Sequence, residues 1–350
     1  MSNPKFVKML PVNQSAIVLP SVALLSLLVI EPAHSAAFSP GNLLVSVNEF
    51  TGSITAPTYV AEFTTSGIRE QILFDVPAPG TTRVPTTETA RDLVVDSSGN
   101  IQLYNGTFDP YLLTYDVEKD SFTQRTFVGW STVNNGSYGG IATLGEKVFL
   151  TDMETFGVGD RPQGIISVDT DTFASSRFAT EIEPNDLNIG LDGTLYALDG
   201  SGSPRSQVYL YDPVLQTQIA TVNVLRRDHR AVAGAADGTF FTATWGGEIM
   251  QFDQNGSLLN LLTVPFASFN DIDIAPDGQI ALGNREGEVI LTDTSLTSFS
   301  RFDVSRSGSG TTFVTWFPSS EAETVPEPGN IVSSLFVLGL GICLKRTKFF

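Results

Sequence analysis

A short unit recurs along this chain and constrains its fold more than any other feature: a hydrophobic strand, a tight turn ending in glycine, and a second alternating strand. It runs from Asp92 through Gly99 to Tyr104, and returns from Asp186 through Gly193 to Leu198, from Ala231 through Gly238 to Thr242 and from Asp271 through Gly278 to Leu282. A shortened copy, Ile141 to Leu150, turns at Gly145. The turn glycines are therefore separated by 40 to 48 residues. A period of that length is the mark of a four-stranded propeller blade.

A second mark keeps the same phase. Five alternating strands end in Asp116, Asp169, Asp212, Asp253 and Asp293, each followed by a polar turn. An aspartate there has a turn-forming reason, because its carboxylate accepts backbone N–H bonds a few residues on. These five are read as structural.

The two ends supply the remaining blade. Leu43 to Asn48, Tyr59 to Thr64 and Glu70 to Val76 read as three strands without a preceding turn unit, and Thr311 to Phe317 reads as one strand with nothing after it. Joining the last strand to the first three closes a ring and removes open sheet edges. The expected fold is all-β: a six-bladed β-propeller over residues 38–320, with the other blades near 91–127, 138–180, 184–224, 229–264 and 269–304. A pair of β-sandwich domains is the rival architecture, and the phased glycines argue against it.

Both termini carry addresses. Lys5 and Lys8 precede an apolar stretch from Ala16 to Ile30 and a small-residue run ending at Ala37, the pattern of a signal peptide over residues 1–37. At the other end a linker, 321–330, leads into a segment, 331–350, that is apolar from Ile331 to Leu344 and closes with Lys345, Arg346 and Lys348. An apolar segment stopped by cations is held with its charges on the cytoplasmic side. Together with Pro326, Glu327 and Pro328 this order resembles the PEP-CTERM sorting tail of exported proteins in bacteria that make extracellular polysaccharide. That resemblance implies transient membrane anchoring, processing by a transpeptidase-like exosortase near the Pro-Glu-Pro, and delivery to the cell surface or extracellular matrix.

Charge narrows the partners. Without the targeting ends, 15 Lys and Arg stand against 36 Asp and Glu, leaving the body near −21. Such a charge repels nucleic acid and anionic lipid. The single cysteine, Cys343, lies in the apolar tail, so the body has no disulfide. With His229 as its only histidine, the body also lacks the ligands of the usual zinc sites.

Loop lengths single out one face. In a propeller, the connections from second to third strand and from one blade to the next emerge together. The long irregular stretches of this chain, such as 77–89, 128–137 and 153–163, are all of those two kinds. Binding is expected on that elaborated face. The cluster Arg226, Arg227, His229 and Arg230 falls at a blade junction there, suited to clamp a carboxylate or sulfate on an acidic sugar. Trp130 and Trp245 lie in or near its loops, placed to stack on sugar rings or to pack.

The inner-strand entrances point at the axis on the same face. Counting back from the turn glycines gives Asp92, Asp186 and Asp271 from alternate blades, with Ala231, Gly140 and Thr312 between them. Three carboxylates around a channel, with Asn185 and Asn270 beside two of them, would suit a hard cation such as Ca²⁺. The alternative is that each Asp bonds a neighbouring blade's backbone and stabilises the ring. The Asn-Asp-hydrophobic strands at 185 and 270 loosely resemble gluconolactonase-type six-bladed propellers, which implies a divalent metal in the tunnel and lactone hydrolysis. Such sites also use a tunnel-mouth glutamate, for which Glu49 is the nearest candidate.

The expected function is an exported binding or scaffold module, not an enzyme, holding polysaccharide or another matrix protein on its loop-rich face. A Ca²⁺-dependent lactonase-like hydrolase using Asp92, Asp186, Asp271, Asn185 and Asn270 is the rival.

Overall fold

A computed structural model describes residues 38–49, 58–75, 92–105, 111–126, 139–152, 163–199, 206–225 and 228–317. The signal segment, the Pro326 to Pro328 motif, the apolar tail, Trp130, Arg226 and Arg227 lie outside the described residues.

The described chain is all strand and turn. Blade 1 begins with β1 (Leu43–Glu49), β2 (Thr58–Phe63) and β3 (Arg69–Asp75). Blade 2 is β4 (Asp92–Val95), β5 (Ile101–Asn105), β6 (Tyr111–Asp116) and β7 (Ser121–Thr126). Blade 3 is β8 (Ile141–Leu144), β9 (Lys147–Asp152), β10 (Gly164–Asp169) and β11 (Ser175–Phe178). Blade 4 is β12 (Asp186–Ile189), β13 (Leu195–Asp199), β14 (Gln207–Asp212) and β15 (Thr217–Asn223). Blade 5 is β16 (His229–Gly234), β17 (Phe240–Thr244), β18 (Glu248–Phe252) and β19 (Leu258–Thr263). Blade 6 is β20 (Phe269–Ile274), β21 (Gln279–Asn284), β22 (Glu288–Asp293) and β23 (Ser300–Asp303). The last strand, β24 (Gly310–Trp316), returns to blade 1, whose order is β24-β1-β2-β3. All six sheets are four-stranded meanders of antiparallel neighbours.

Closure is visible in two ways. The register of β1 on β24 sets Leu43 against Trp316, Val45 against Val314 and Ser46 against Phe313. The core also divides into six clusters, one at each junction between consecutive blades. An open row of six sheets has five junctions, so the sixth cluster requires a ring. It joins Val45, Val47 and Trp316 of blade 1 to Ala281 and Val289 of blade 6. The cause is strand alternation: side chains point to opposite faces by turns, so on β1 Leu43 and Val45 face blade 6 while Leu44 faces blade 2. Every blade is thus apolar on both faces. The inner strands β24, β4, β8, β12, β16 and β20 neighbour one another in that cyclic order around the axis.

The turn glycines do what their spacing requires. Gly99, Gly145, Gly193, Gly238 and Gly278 all take positive φ, between 57° and 87°, where a side chain is strained. The aspartates that end the third strands close the next turns: the Asp253 carboxylate accepts the Asn255 and Ser257 N–H groups, both at 2.8 Å, and Asp212 accepts those of Val214 and Leu215.

A buried latch locks the closing blade. Glu49, at the end of β1, faces the connection before β24, where Ser305 and Ser307 hydroxyls and the Arg306 and Ser307 amides all donate to its carboxylate. The Arg306 guanidinium lies 3.9 Å over the Tyr59 ring, and the Tyr59 hydroxyl donates to the Val304 carbonyl. Burial raises the Glu49 carboxyl, but these donors outweigh it and hold the group below its ordinary value.

Candidate functional site

The axial acids converge. Asp92, Asp186 and Asp271 each sit at the start of an inner strand, in blades 2, 4 and 6, and one carboxylate oxygen from each lies within 4.8 Å of the others. All three are buried. Each is also a staple to the following blade. Asp92 accepts the Ile141 N–H at 2.9 Å, Asp186 the Val232 N–H at 2.7 Å and Asp271 the Val314 N–H at 2.6 Å. Asp92 and Asp271 take a second bond from their own successors, Leu93 and Ile272, at 2.8 Å.

A second tier repeats the device two residues deeper. Asn188 accepts the Gly234 N–H at 3.2 Å, and Asp273 accepts the Trp316 N–H and the Thr315 hydroxyl, both at 3.0 Å. This tier has no counterpart in the sequence-based expectations. Its signal was nonetheless present: period-two alternation places residue 273 on the side of residue 271, and 188 on the side of 186. Between the tiers and the ends of the inner strands lies a cavity of about 170 Å³, lined by Asp92, Asp271, Asp273, Asn188, Thr143 and Thr315 among others.

The electrostatics follow from burial and crowding. Burial pushes the Asp271 carboxyl up to about 7. Asp92 and Asp186 are raised well above the usual carboxylate range, first by burial and then by the negative charge of Asp271. Asp273 is raised by burial as well. Backbone N–H bonds oppose these shifts without cancelling them.

The neighbouring amides differ. The Asn185 amide reaches the His229 carbonyl at 3.5 Å. Asn270 is the bulged residue between Phe269 and Asp271, it is 3% exposed, and neither polar atom of its side chain has a hydrogen-bond partner among the described residues. A buried amide left unpaired costs about 1–3 kcal/mol, so this position calls for a reason.

The register of the composite blade corrects one expectation. Val314 receives the carboxylate bond that Val232 receives in blade 5, so Phe313, not Thr312, matches Ala231. The count slipped by one because blade 1 has no turn glycine after its inner strand. Thr312 instead exchanges bonds with the Asn284 backbone, its hydroxyl accepting at 2.6 Å and donating at 3.0 Å.

A second cluster forms on the face of the long connections. Trp245 opens the connection from β17 to β18, and Arg285 opens the equivalent one from β21 to β22. The Arg230 guanidinium lies 3.6 Å from the Trp245 ring centroid and that of Arg285 lies 5.5 Å from it. Arg230 is the bulged residue at the entrance to β16. Sequence reasoning missed Arg285, although it follows its second strand by one residue as Trp245 does, and equivalent positions in consecutive blades are neighbours in a ring. Arg285 is exposed and forms no ion pair among the described residues. The acids around it are engaged: Glu286 accepts the Ser268 N–H and Glu288 pairs with Arg301.

His229 stands apart from this surface. It is fully buried, its Nε2 is 2.7 Å from the Leu225 carbonyl and its ring packs edge-on near Phe252. Glu49 is likewise absent from the axis, being enclosed by the Ser305 to Ser307 latch.

No family model matches this chain, and no curated protein matches it. Among solved structures, that of apo AztD from Citrobacter koseri aligns at 12% identity with a TM-score of 0.44, covering 78% of this chain and 97% of the other. A protein of unknown function from Bacteroides caccae aligns at 10% identity and a TM-score of 0.44, over 58% of this chain and 73% of its own. The propeller assignment rests on the strand order and the six junctions themselves.

Proposed function

We propose that this protein is an exported binding module that holds an acidic polysaccharide, or a matrix protein of similar chemistry, on the face of its long connections. The observation that carries the reading is the Arg230–Trp245–Arg285 stack. In a body near −21, two guanidinium groups over one indole form a local cationic site with an aromatic floor. Guanidinium forks match carboxylate and sulfate groups bidentately, and the indole beneath them carries both cations. The sorting tail and the signal peptide supply the export and the cell-surface or matrix location, and exosortase-type processing would release the transient anchor.

The test is titration of residues 38–324 with uronate-bearing or sulfated polysaccharide by calorimetry. Binding that weakens with salt, and falls at least tenfold in Trp245→Ala and Arg285→Ala, supports the reading. No binding across acidic polysaccharides defeats it.

A second reading keeps the axial acids as a cation site with lactonase-like hydrolysis, and two observations favour its cation part. Carboxylate oxygens within 4.8 Å of one another suit Ca²⁺, whose ligand oxygens lie about 2.3–2.6 Å from the ion. Asn270 brings an unpaired buried amide next to Asp271 in sequence. Asp92, Asp186 and Asp271 would hold the ion, and a bound ion would supply charge neutralisation at the axis. The hydrolase part lacks its glutamate, since Glu49 is spent on the latch. Calcium binding abolished by Asp186→Asn, with turnover of a lactone panel, would favour this reading.

A further inference from the structure

One short connection on the face of the Trp245 and Arg285 stack is built against its own backbone preference. Val264 to Ala267, between blades 5 and 6, form a tight turn in which the Ala267 N–H donates to the Val264 carbonyl at 3.4 Å. Pro265 stands second in this turn and Phe266 third, at φ +64°. A turn with proline second and positive φ third favours glycine or asparagine there, because a bulky side chain is strained in that region. Phe173, Ala179 and Leu296 also take positive φ, and each packs against a core cluster. Phe266 buries nothing: at 92% it is the most exposed large hydrophobic side chain among the described residues.

The turn is braced from both sides. The Val264 N–H donates to the Gly247 carbonyl at 2.8 Å, and a Cβ on Gly247 would lie 2.4 Å from the Val264 oxygen, so the turn that carries Trp245 is pressed against it. On the other side the Arg285 N–H donates to the Ser268 carbonyl at 3.0 Å, and the Glu286 carboxylate accepts the Ser268 N–H at 3.0 Å. The Arg301 guanidinium donates to the Pro265 carbonyl at 3.1 Å. Phe266 is two residues from Ser268, at most about 7 Å of chain. The next connection is anchored in the same way, its Val304 N–H donating to the Gly287 carbonyl, and there the matching residue is Arg306, whose guanidinium lies over the Tyr59 ring. Phe266 is fixed through its backbone while its ring stays open.

Strain kept in a fixed, exposed ring calls for a contact that the ring makes outside the chain. Its neighbours say which. An anionic ligand drawn to Arg285 lies beside a phenyl ring that has no polar atom. The C–H groups of a sugar form an apolar face, and such a ring covers that face without removing a hydrogen bond. The Trp245 ring is already engaged by Arg230 at 3.6 Å. We propose that Phe266 is the sugar-stacking platform of this face, covering one unit of a polysaccharide whose neighbouring unit brings its carboxylate or sulfate to Arg285. The proposal rests on the acidic-polysaccharide reading and adds to it the residue that selects a sugar over a bare anion.

Calorimetry of residues 38–324, which hold every described strand and the ring closure, tests it with a uronate-bearing and a neutral polysaccharide. Phe266→Ala should weaken the acidic polymer at least tenfold and leave its salt dependence as it was, whereas Arg285→Ala flattens that dependence. Phe266→Trp should keep the affinity and show an emission change on titration that the unaltered protein lacks. An acidic polymer that loses affinity in Arg285→Ala and not in Phe266→Ala keeps the acidic reading and overturns the platform. A neutral polymer bound as well as the acidic one, indifferent to Arg285→Ala and lost in Phe266→Ala, supports the platform and defeats the acidic reading. No binding of either polymer overturns both. Binding to phosphatidylcholine vesicles that depends on Phe266, with no polymer bound, overturns the platform as well.

Discussion

Two kinds of joint alternate around this ring. From blades 2, 4 and 6 an aspartate beside the axis accepts a backbone N–H of the next blade, through Asp92, Asp186 and Asp271. From blades 1, 3 and 5 the corresponding residues are Phe313, Gly140 and Ala231, which carry no carboxylate, so beside the axis these joints rest on packing. At Gly140 the approach is so close that an added Cβ would lie 2.4 Å from the Leu187 nitrogen and 2.7 Å from the Asp186 Cα. The difference teaches where each joint is vulnerable. A packed joint fails by steric intrusion, and a stapled joint fails by loss of an acceptor or by a change of charge.

The largest effect is expected at the packed joint. Gly140→Ala must push β8 away from the backbone of β12, and should cost about 3 kcal/mol in urea unfolding, the upper range for overpacking. Next comes the staple. Asp186→Ala strands the buried Val232 N–H and should cost about 2 kcal/mol, while Asp186→Asn keeps an acceptor, removes a repelling charge and should cost less. If both substitutions cost the same, the carboxylate acts through charge and not through its bond.

The stapled joints should also respond to pH, and with a definite sign. Their carboxyl groups are raised in the folded state, so the protein binds protons more tightly folded than unfolded. Their contribution is therefore complete below the unfolded value, about 3.9, and is lost as pH rises through the folded value, about 7 for Asp271. The melting temperature in chelator should fall between pH 5 and pH 8, and Asp271→Asn should flatten that slope. Millimolar Ca²⁺ should restore stability at pH 8 and not at pH 5 if the acids hold an ion. Glu49 gives the smallest effect and the opposite sign. Its carboxyl is depressed, so the latch is intact above the unfolded value of about 4.3 and weakens as pH falls below it. Glu49→Gln should cost about 1 kcal/mol at pH 7 and remove that acid-side loss.

Much of this architecture could be read from residues alone, because its causes are local. Gly99, Gly193, Gly238 and Gly278 are needed for positive φ, and aspartates such as Asp253 are needed to close turns, so both recur with the blade. The convergence of Asp92, Asp186 and Asp271 followed from that phase. What escaped notice depends on contacts between blades. His229 looks like part of a basic surface cluster, yet the bulge at Arg230 turns its neighbour outward while the imidazole goes inside. Arg285 belongs to another blade in sequence and joins Trp245 only because the ring sets blade 6 beside blade 5. The slip from Phe313 to Thr312 arose where the repeat lacks its landmark.

The pairing of β1 with β24 has a consequence for how the molecule comes into being. A chain made from its N-terminus displays the inner edge of β1 as soon as blade 1 emerges, and the strand that will cover it is the last of the described strands to arrive. Until then Val45 and Val47 lack the neighbours that bury them. Five blades can stack in order of synthesis, but the circle stays a horseshoe throughout that wait. Truncation just before Gly310 should therefore yield not a slightly weaker protein but one held in that unfinished shape, with a bare strand ready to capture another chain.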